Sequence, residues 1–301
     1  MAELCFLLKK PPEDYIMFRY LFSLSLLLLF TGCETDNSNR IDDGTPPAGN
    51  DTDTNNSGGD GDSDTDTDSD TDSDSDGDTA TEDECGPWVK AVVRDFSRTH
   101  PNMEMGVGAD DATTGLIEDH LTDNFKPIFK SATGSGQWGA MLTNADDFDQ
   151  WYLDVGGINY RYEKTFPLTE LDDGTFMYNN DLFFPLEVSD GFGETGLYDE
   201  FNTTQRNFHF TTEIHTMFTY KPGQVFSFNG DDDLWTFING KLVIDLGGLH
   251  MADAGTVNLD TLGLTPGEKY QMDIFHAERQ SQGSHFKITT SIQCFEEIEI
   301  E

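Results

Sequence analysis

The chain has 301 residues, of which 57 are acidic and 17 are basic, and its formal net charge is −40. This excess of acids argues against a nucleic-acid ligand, whose phosphates require a basic face, and against electrostatic docking on anionic lipid. It suits a solvated extracellular protein that meets divalent cations.

The first 33 residues predict an export signal. The apolar run at residues 21–30 has the length of a signal peptide and is too short for an ordinary membrane-spanning helix. It ends in Thr31-Gly32-Cys33, which resembles the lipobox of bacterial lipoproteins. We therefore predict lipidation at Cys33, so that a lipid is the protein's only membrane contact, at the bacterial outer membrane or cell surface. The alternatives are an ordinary cleaved signal peptide and an uncleaved anchor.

Residues 34–84 predict a tether. They consist almost entirely of Asp, Thr, Ser, Asn and Gly, with the densest run of aspartates at residues 60–78. Such a segment cannot bury enough apolar surface to offset chain entropy, so we expect it to be disordered. Repulsion between its charges should extend it and hold the following domain away from the membrane.

Residues 85–301 are long enough for one large β domain. Two cysteines, Cys85 and Cys294, stand near its two ends, and an exported compartment permits disulfides. We predict a bridge between them, with two free thiols as the alternative. Residues 88–96 read as the first strand. Asn144 can cap a short helix that continues to residue 152, and Trp151 on it is either a sugar-stacking platform or, as helical spacing favours, a core residue.

The second half of the domain reads as strands. Residues 234–238 and 241–245 are rich in β-branched and aromatic side chains, and they flank Asn239-Gly240. Asn-Gly between two such runs is a strong hairpin signal, because both residues tolerate positive φ. Residues 270–277 and 285–292 predict a second hairpin. Strands at short spacing with glycine-rich turns indicate an all-β sandwich or barrel with short helical insertions.

One predicted strand, residues 207–220, alternates apolar and polar side chains, which is typical of a half-buried strand. His209, Glu213 and His215 share its polar face. Such a set could bind zinc, but three polar residues on one strand face are more often simply solvated, and we favour that interpretation.

Three consecutive acids, Asp231, Asp232 and Asp233, follow Gly230 in the turn before the hairpin. Adjacent carboxylates repel one another, and an oxygen-rich turn is what a hard cation such as calcium selects. The residues therefore favour a calcium site, with a solvated surface turn as the alternative.

These motifs resemble the fibro-slime domain family, a branch of the protective-antigen-type β-sandwich domains. The resemblance covers residues 89–293, and it is carried by GDDDLWTFINGKLVIDLGGLH (230–250), FDQWY (148–152), NDLFFPL (180–186) and NFHFTTEIHTMFTY (207–220). It implies a β-sandwich that binds carbohydrate through calcium held by an adjacent Asp pair, often on a cis peptide.

On this sequence the resemblance places the calcium on Asp231 and Asp232, with Asp233 and the hairpin residue Asn239 as further candidates. We expect a late loop to shape glycan specificity, through Gln280, Ser281, Gln282 and Ser284. The partner implied is an extracellular or matrix polysaccharide.

The sequence contains no G-x-S-x-G, H-E-x-x-H or P-loop motif, and no context for a cysteine nucleophile. We therefore predict a binding protein and not an enzyme. Two alternatives remain at this point: a structural matrix protein that binds other proteins, and a glycoside hydrolase or its accessory module, for which no pair of carboxylates stands out.

Overall fold

The computed structural model of the protein describes residues 85–298, except residues 107, 137, 200, 202 and 282. The predicted export signal, Cys33, the tether and Gln282 lie outside the described residues. Within the described part of the chain, no helix is long and apolar enough to cross a membrane.

The described residues form strands with a few short helical turns. The strands are β1 (Trp88–Phe96), β2 (Ile117–Leu121), β3 (Pro127–Phe129), β4 (Asn159–Pro167), β5 (Thr169–Glu170), β6 (Phe176–Asn180), β7 (Phe210–Thr219), β8 (Val225–Gly230), β9 (Asp233–Ile238), β10 (Lys241–Leu246), β11 (Asp253–Asn258), β12 (Lys269–Glu278), β13 (Phe286–Thr290) and β14 (Glu296–Glu297). The helix α1 (Ala145–Phe148) runs into a 3-10 helix at Asp149–Trp151, and a second 3-10 helix spans Leu259–Leu262. The predicted cap is confirmed, since the Asn144 side chain accepts a hydrogen bond from the Asp147 N–H.

The strands make two antiparallel sheets. The larger sheet has the order β3-β2-β10-β9-β12-β7-β1-β4, with β14 also paired to β7, and the smaller sheet has the order β11-β8-β13-β6-β5. Side chains from both sheets, such as Val93 and Phe218 from the larger and Phe228 and Ile288 from the smaller, share one apolar core. This arrangement confirms the predicted all-β sandwich with short helical insertions.

The predicted disulfide is also confirmed. Cys85 and Cys294 are bonded, with their Cα atoms 5.2 Å apart. Beside the bridge, Gly86 and Phe295 exchange backbone hydrogen bonds of 3.1 and 2.9 Å. The bridge therefore fastens the start of the domain to its last strand.

Strands β9 and β10 form the hairpin predicted at Asn239-Gly240, and both turn residues have positive φ, 52° and 71°. The second predicted hairpin is wrong. Strand β12 lies between β9 and β7 in the larger sheet, whereas β13 lies between β8 and β6 in the smaller one. Residues 279–285, which we call the crossing segment, therefore pass from one sheet to the other. Alternation and turn residues mark two strands but do not say whether those strands pair.

A second apolar cluster lies on the outer face of the larger sheet. There Trp151 and Phe148 pack against Trp235 from β9, with ring centroids 6.4 and 6.0 Å from the Trp235 centroid. Trp151 has no exposed surface, so its assignment to the core is confirmed. This cover also reaches β7, where the polar-face residues Thr211 and Glu213 are buried and the Thr211 hydroxyl donates to the Trp151 carbonyl at 2.7 Å. The prediction that β7 turns its polar face to solvent is therefore wrong along that half of the strand.

Candidate functional site

The turn Asp231-Asp232-Asp233, here called the Asp turn, joins β8 to β9 and lies beside the crossing segment. The carboxylate of Asp231 points toward that segment. One of its oxygens accepts the His285 backbone N–H at 2.5 Å, and the other pairs with the His285 ring Nδ1 at 2.8 Å. The Asp231 carbonyl lies 2.9 Å from Nε2 of His276. The described residues contain no cis peptide bond.

Asp232 is almost completely buried. One of its carboxylate oxygens accepts the backbone N–H of Arg279 at 2.8 Å. Burial raises the pKa of Asp232 well above its ordinary value. The Arg279 charge opposes that shift, while the neighbouring Asp231 and Asp233 carboxylates add to it.

Asp233 is engaged in the protein interior. Its Oδ1 accepts the Gly248 N–H at 2.6 Å and its Oδ2 accepts from Nε of Arg279 at 2.5 Å. The Arg279 side chain is fully buried, donates to the Met141 carbonyl at 2.8 Å, and lies over the Trp151 ring with its Cζ 5.0 Å from the centroid. Asp233 and Arg279 therefore fasten the crossing segment to β9, and the buried Arg279 charge already balances the Asp233 carboxylate.

Glu278, at the end of β12, is a residue that sequence reasoning missed. Its side chain is buried and Oε1 accepts the Gln280 N–H at 3.2 Å. Oε2 makes no close hydrogen bond among the described residues, although the nearby Ser284 side chain lowers the pKa of Glu278 slightly. Burial, followed by the charges of Asp232 and Asp231, raises its pKa well above the ordinary value. Only the register of β12 against β9, which pairs Ala277 with Asp233, brings this acid to the Asp turn, and that register is not visible in the sequence.

Asn239 lies at the opposite end of β9 from the Asp turn. At about 3.3 Å per residue the six steps from Asp233 span roughly 20 Å, so Asn239 cannot share an ion with Asp231 and Asp232. The structure therefore separates one predicted candidate ligand from the others.

The predicted specificity residues lie on the crossing segment. The Ser281 N–H donates to Oε1 of Glu104 at 3.0 Å, and the Ser284 carbonyl accepts the Phe183 N–H at 2.8 Å. The side-chain oxygen of Gln280 lies close to Gly108, 4.0 Å from the point that a Cβ atom would occupy there. These contacts hold the segment beside the Asp turn.

Glu104 contacts the crossing segment by accepting the Ser281 N–H. Burial alone would raise the pKa of Glu104, but hydrogen bonds from His209 and Ser281 outweigh it and bring the pKa to about 2. His209 lies just before β7 with φ 64°, and its ring nitrogens lie 2.9 Å from Glu104 and 3.5 Å from Glu194. His209 is thus turned away from Glu213 and His215, so the zinc alternative finds no support.

The donor chemistry at the Asp turn fits a hard cation only in part. Asp231, Asp232 and the unpartnered Oε2 of Glu278 offer oxygens, which calcium prefers. No cluster of three or more His, Cys, Asp or Glu side chains within the described residues is already arranged as a metal site. Calcium takes six to eight oxygens, so backbone carbonyls and water would have to supply the remainder.

Residues 187–300 match the family model of the PA14 domain. Over these residues the chain is similar to PA14 domains. The matched range runs from before β7 to the end of β14 and includes both the Asp turn and the crossing segment.

Curated relatives come from Dictyostelium discoideum. Protein psiR is 41% identical over 202 residues, which are 64% of this chain and 20% of that protein. Protein psiD is 33% identical over 209 residues, 68% of this chain and 41% of that protein, and protein psiQ is 37% identical over 186 residues, 60% and 18%. The chain therefore spans between about a fifth and two-fifths of the length of these relatives.

Solved structures of PA14 domains align only weakly. The PA14 sugar-binding domain from an RTX adhesin is 9% identical and covers 60% of this chain and 89% of that one, at a TM-score of 0.25. The PA14 domain of the MpAFP antifreeze protein is 12% identical and covers 38% and 63%, at a TM-score of 0.24. These alignments are too weak to transfer a binding property.

Proposed function

We propose that residues 85–301 form a calcium-dependent carbohydrate-binding module of the fibro-slime branch of PA14 domains, carried by a protein of the cell surface. The observation that supports it most is the convergence of Asp231, Asp232 and Glu278 beside the crossing segment, with one Glu278 oxygen unpartnered. Glu278 is buried with no opposite charge beside it, which is costly, and a bound cation would offset that cost. The confirmed disulfide supports an exported location.

Each side chain has a distinct role in this proposal. Asp231, Asp232 and Glu278 would hold the ion, and the Asp233–Arg279 ion pair positions the turn that carries them. A bound calcium supplies open coordination positions that sugar hydroxyls can occupy. Gln280, Ser281, Gln282 and Ser284 on the crossing segment would then contact the rest of the sugar. A binding module has no need of a catalytic pair, which agrees with the absence of catalytic motifs in the sequence.

A glycan array tests the proposal. The full chain is applied with about 2 mM calcium, because extracellular calcium modules have dissociation constants on the order of 10⁻⁴–10⁻³ M. It is applied again with a chelator. We expect glycan binding that the chelator removes and that Asp231→Asn with Asp232→Asn abolishes. The matched control is Asp172→Asn with Asp173→Asn, an adjacent exposed pair in the β5–β6 turn, which should bind normally.

Two results would count against this function. Calcium-dependent stabilisation without any glycan binding would favour the structural matrix role. Glycan binding that persists in chelator and in the Asp231/Asp232 variant would remove calcium from the proposal.

A further inference from the structure

Strand β4 forms one open edge of the larger sheet. It is nine residues long and pairs with β1 at every residue, without a bulge. No strand in the described part of the chain pairs with its other side. The strands at the other ends of the two sheets, β3, β5 and β11, have only three, two and six residues. Because a long, regular edge is a template for pairing with another chain, β4 is the edge best suited to accept a further strand.

The backbone groups that face this open edge belong to alternate residues of β4. The Leu168 N–H donates to the Pro87 carbonyl at 2.7 Å, on the side of β1. In an antiparallel pair, residues that bond to the neighbouring strand alternate with residues that point away from it. Residues 160, 162, 164 and 166 therefore bond to β1, whereas the backbone groups of Arg161, Glu163 and Thr165 point outward. Within the described residues these outward groups have no hydrogen-bond partner.

Two of these outward residues carry opposite charges. The side chains of Arg161 and Glu163 are 41% and 74% exposed. Arg161 Nη1 donates to Glu163 Oε1 at 2.7 Å within the strand, and Arg161 Nε lies 3.6 Å from Asp154. Exposed ion pairs contribute little to stability, so these charges can turn to a neighbouring strand at little cost.

We propose that β4 pairs antiparallel with β4 of a second copy of this chain, around a two-fold axis at Tyr162. In this register Arg161 of each copy lies directly opposite the partner's Glu163. Both residues have outward backbone groups, so each of the two pairs exchanges two backbone hydrogen bonds. The larger sheet then continues across two molecules. The dimer carries two copies of the Asp turn, and two linked sites bind a repeating polymer more tightly than one site does.

Charge selects this register over its neighbours. An axis at Arg161 would set two arginines opposite each other, and an axis at Glu163 would set two glutamates opposite each other. Like charges in directly opposite positions destabilise a strand pair, and opposite charges stabilise it. An axis between two residues would set an outward residue against one that already bonds to β1. On the other face of β4, the axis at Tyr162 sets Lys164 opposite the partner's Tyr160, which is 47% exposed and favours a cation–π contact.

A second copy is the partner that fits, because the charge pattern of β4 is complementary to itself. Such a contact uses the same patch on both copies and closes as a dimer. The net charge of −40 opposes association, but charges more than about 8 Å apart are largely screened at physiological ionic strength. A single strand pair is a small interface, so we expect a dissociation constant on the order of 10⁻⁵–10⁻⁴ M. This inference goes beyond the proposed function and depends on neither calcium nor sugar.

Sedimentation velocity of the full chain tests the proposal, at physiological ionic strength with EDTA and over concentrations that bracket this value. We expect a dimer whose fraction rises with concentration. Hydrogen exchange should show that the amides of Arg161, Glu163 and Thr165 become protected as the dimer forms. Arg161→Glu alone and Glu163→Arg alone should each weaken the dimer about tenfold or more, because each sets like charges opposite one another in two places.

A charge exchange makes the test specific. The two single variants change the net charge in opposite directions, so a loss in both reports the local contact. An equimolar mixture of the two should form a heterodimer, and Arg161→Glu with Glu163→Arg in one chain should restore the homodimer. Lys221→Glu, the same change of charge at an exposed position outside β4, should dimerise as the wild type does. Thermal unfolding checks that each variant is folded.

Three results would overturn the proposal. The first is a chain that stays monomeric over the whole concentration range. The second is a dimer that either single variant forms as strongly as the wild type. The third is a failure of the mixture or of the double variant to recover the dimer.

Discussion

At the scale of single residues, the three aspartates of one short turn have different environments. Asp231 pairs with a half-buried histidine, Asp232 is buried against a backbone N–H, and Asp233 forms a fully buried ion pair with Arg279. The sequence shows three identical carboxylates. Their separate roles depend on Arg279 and Glu278, which reach the turn only through the pairing of β12 with β9.

Asp233→Asn tests the structural role of that ion pair. The change leaves the buried Arg279 without a counter-charge, and breaking a buried pair in this way costs about 3–5 kcal/mol. Urea unfolding should therefore show a large loss of stability, whereas Asp172→Asn on the surface should change it little. If Asp233 is not a calcium ligand, the variant should still be stabilised by calcium as the wild type is. Loss of that calcium response in a folded Asp233→Asn protein would contradict this assignment.

Glu278→Gln tests the carboxylate that the sequence did not reveal. Without calcium the variant should be as stable as the wild type or more so, because the substitution removes a buried charge that Asp231 and Asp232 repel. With calcium it should lose most of the rise in melting temperature that ion binding gives the wild type. Scanning calorimetry with and without calcium measures both effects. A full calcium-induced rise in the variant would exclude Glu278 from the site.

At the scale of elements, the sequence predicts the strands and turns that depend on residues close together in the chain. Strand β1 and the β9–β10 hairpin follow from alternation and from an Asn-Gly turn, and both were placed correctly. The pairing of β12 and β13 is a long-range choice between sheets, and there the prediction of a hairpin was wrong. Burial of the polar face of β7 was missed for the same reason, since its cover comes from residues far away in the chain.

Strand β1 also carries a buried acid with a consequence for pH. Asp95 accepts the Phe192 N–H at 2.8 Å, and burial raises its pKa to about 6 despite that bond. A folded-state pKa above the unfolded value means that the protonated form favours folding. This contribution is complete below about pH 4 and is lost as the pH rises through about 6, amounting to roughly 3 kcal/mol at 1.36 kcal/mol per pKa unit.

Asp95→Asn should remove this dependence. We expect the stability difference between wild type and variant to change by about 2–3 kcal/mol between pH 4 and pH 7.5, with the variant gaining relative to the wild type at the higher pH. Urea titrations at the two pH values measure it, and taking the difference cancels the other acids that titrate in this range. A difference that does not vary with pH would show that Asp95 ionises normally in the fold.

At the scale of the whole molecule, the acidic segment and the disulfide both suit an extracellular location. A bridge from Cys85 to Cys294 closes the domain at the point where the acidic segment enters it. A disulfide across so long a loop stabilises by up to about 5 kcal/mol in the chain-entropy model, and disulfides persist mainly in oxidising compartments. The predicted export signal, the disulfide and the proposed sugar binding are therefore mutually consistent. Attachment to the cell surface is predicted from the sequence alone.

Lipidation of Cys33 is the prediction that would supply that attachment. It rests on Thr31-Gly32-Cys33 directly after an apolar run and directly before the polar acidic segment. In a bacterial host, metabolic labelling with a palmitate analogue should mark the full chain, and Cys33→Ala should abolish the mark and release the protein from the membrane fraction. Cys5→Ala is the matched control and should stay labelled, because Cys5 precedes the apolar run. A single acyl chain gives only marginal, reversible binding, so stable retention requires more than one chain on the anchor. Label that survives in the Cys33→Ala protein would place the anchor elsewhere, and an unlabelled wild type would leave an ordinary cleaved signal peptide as the explanation.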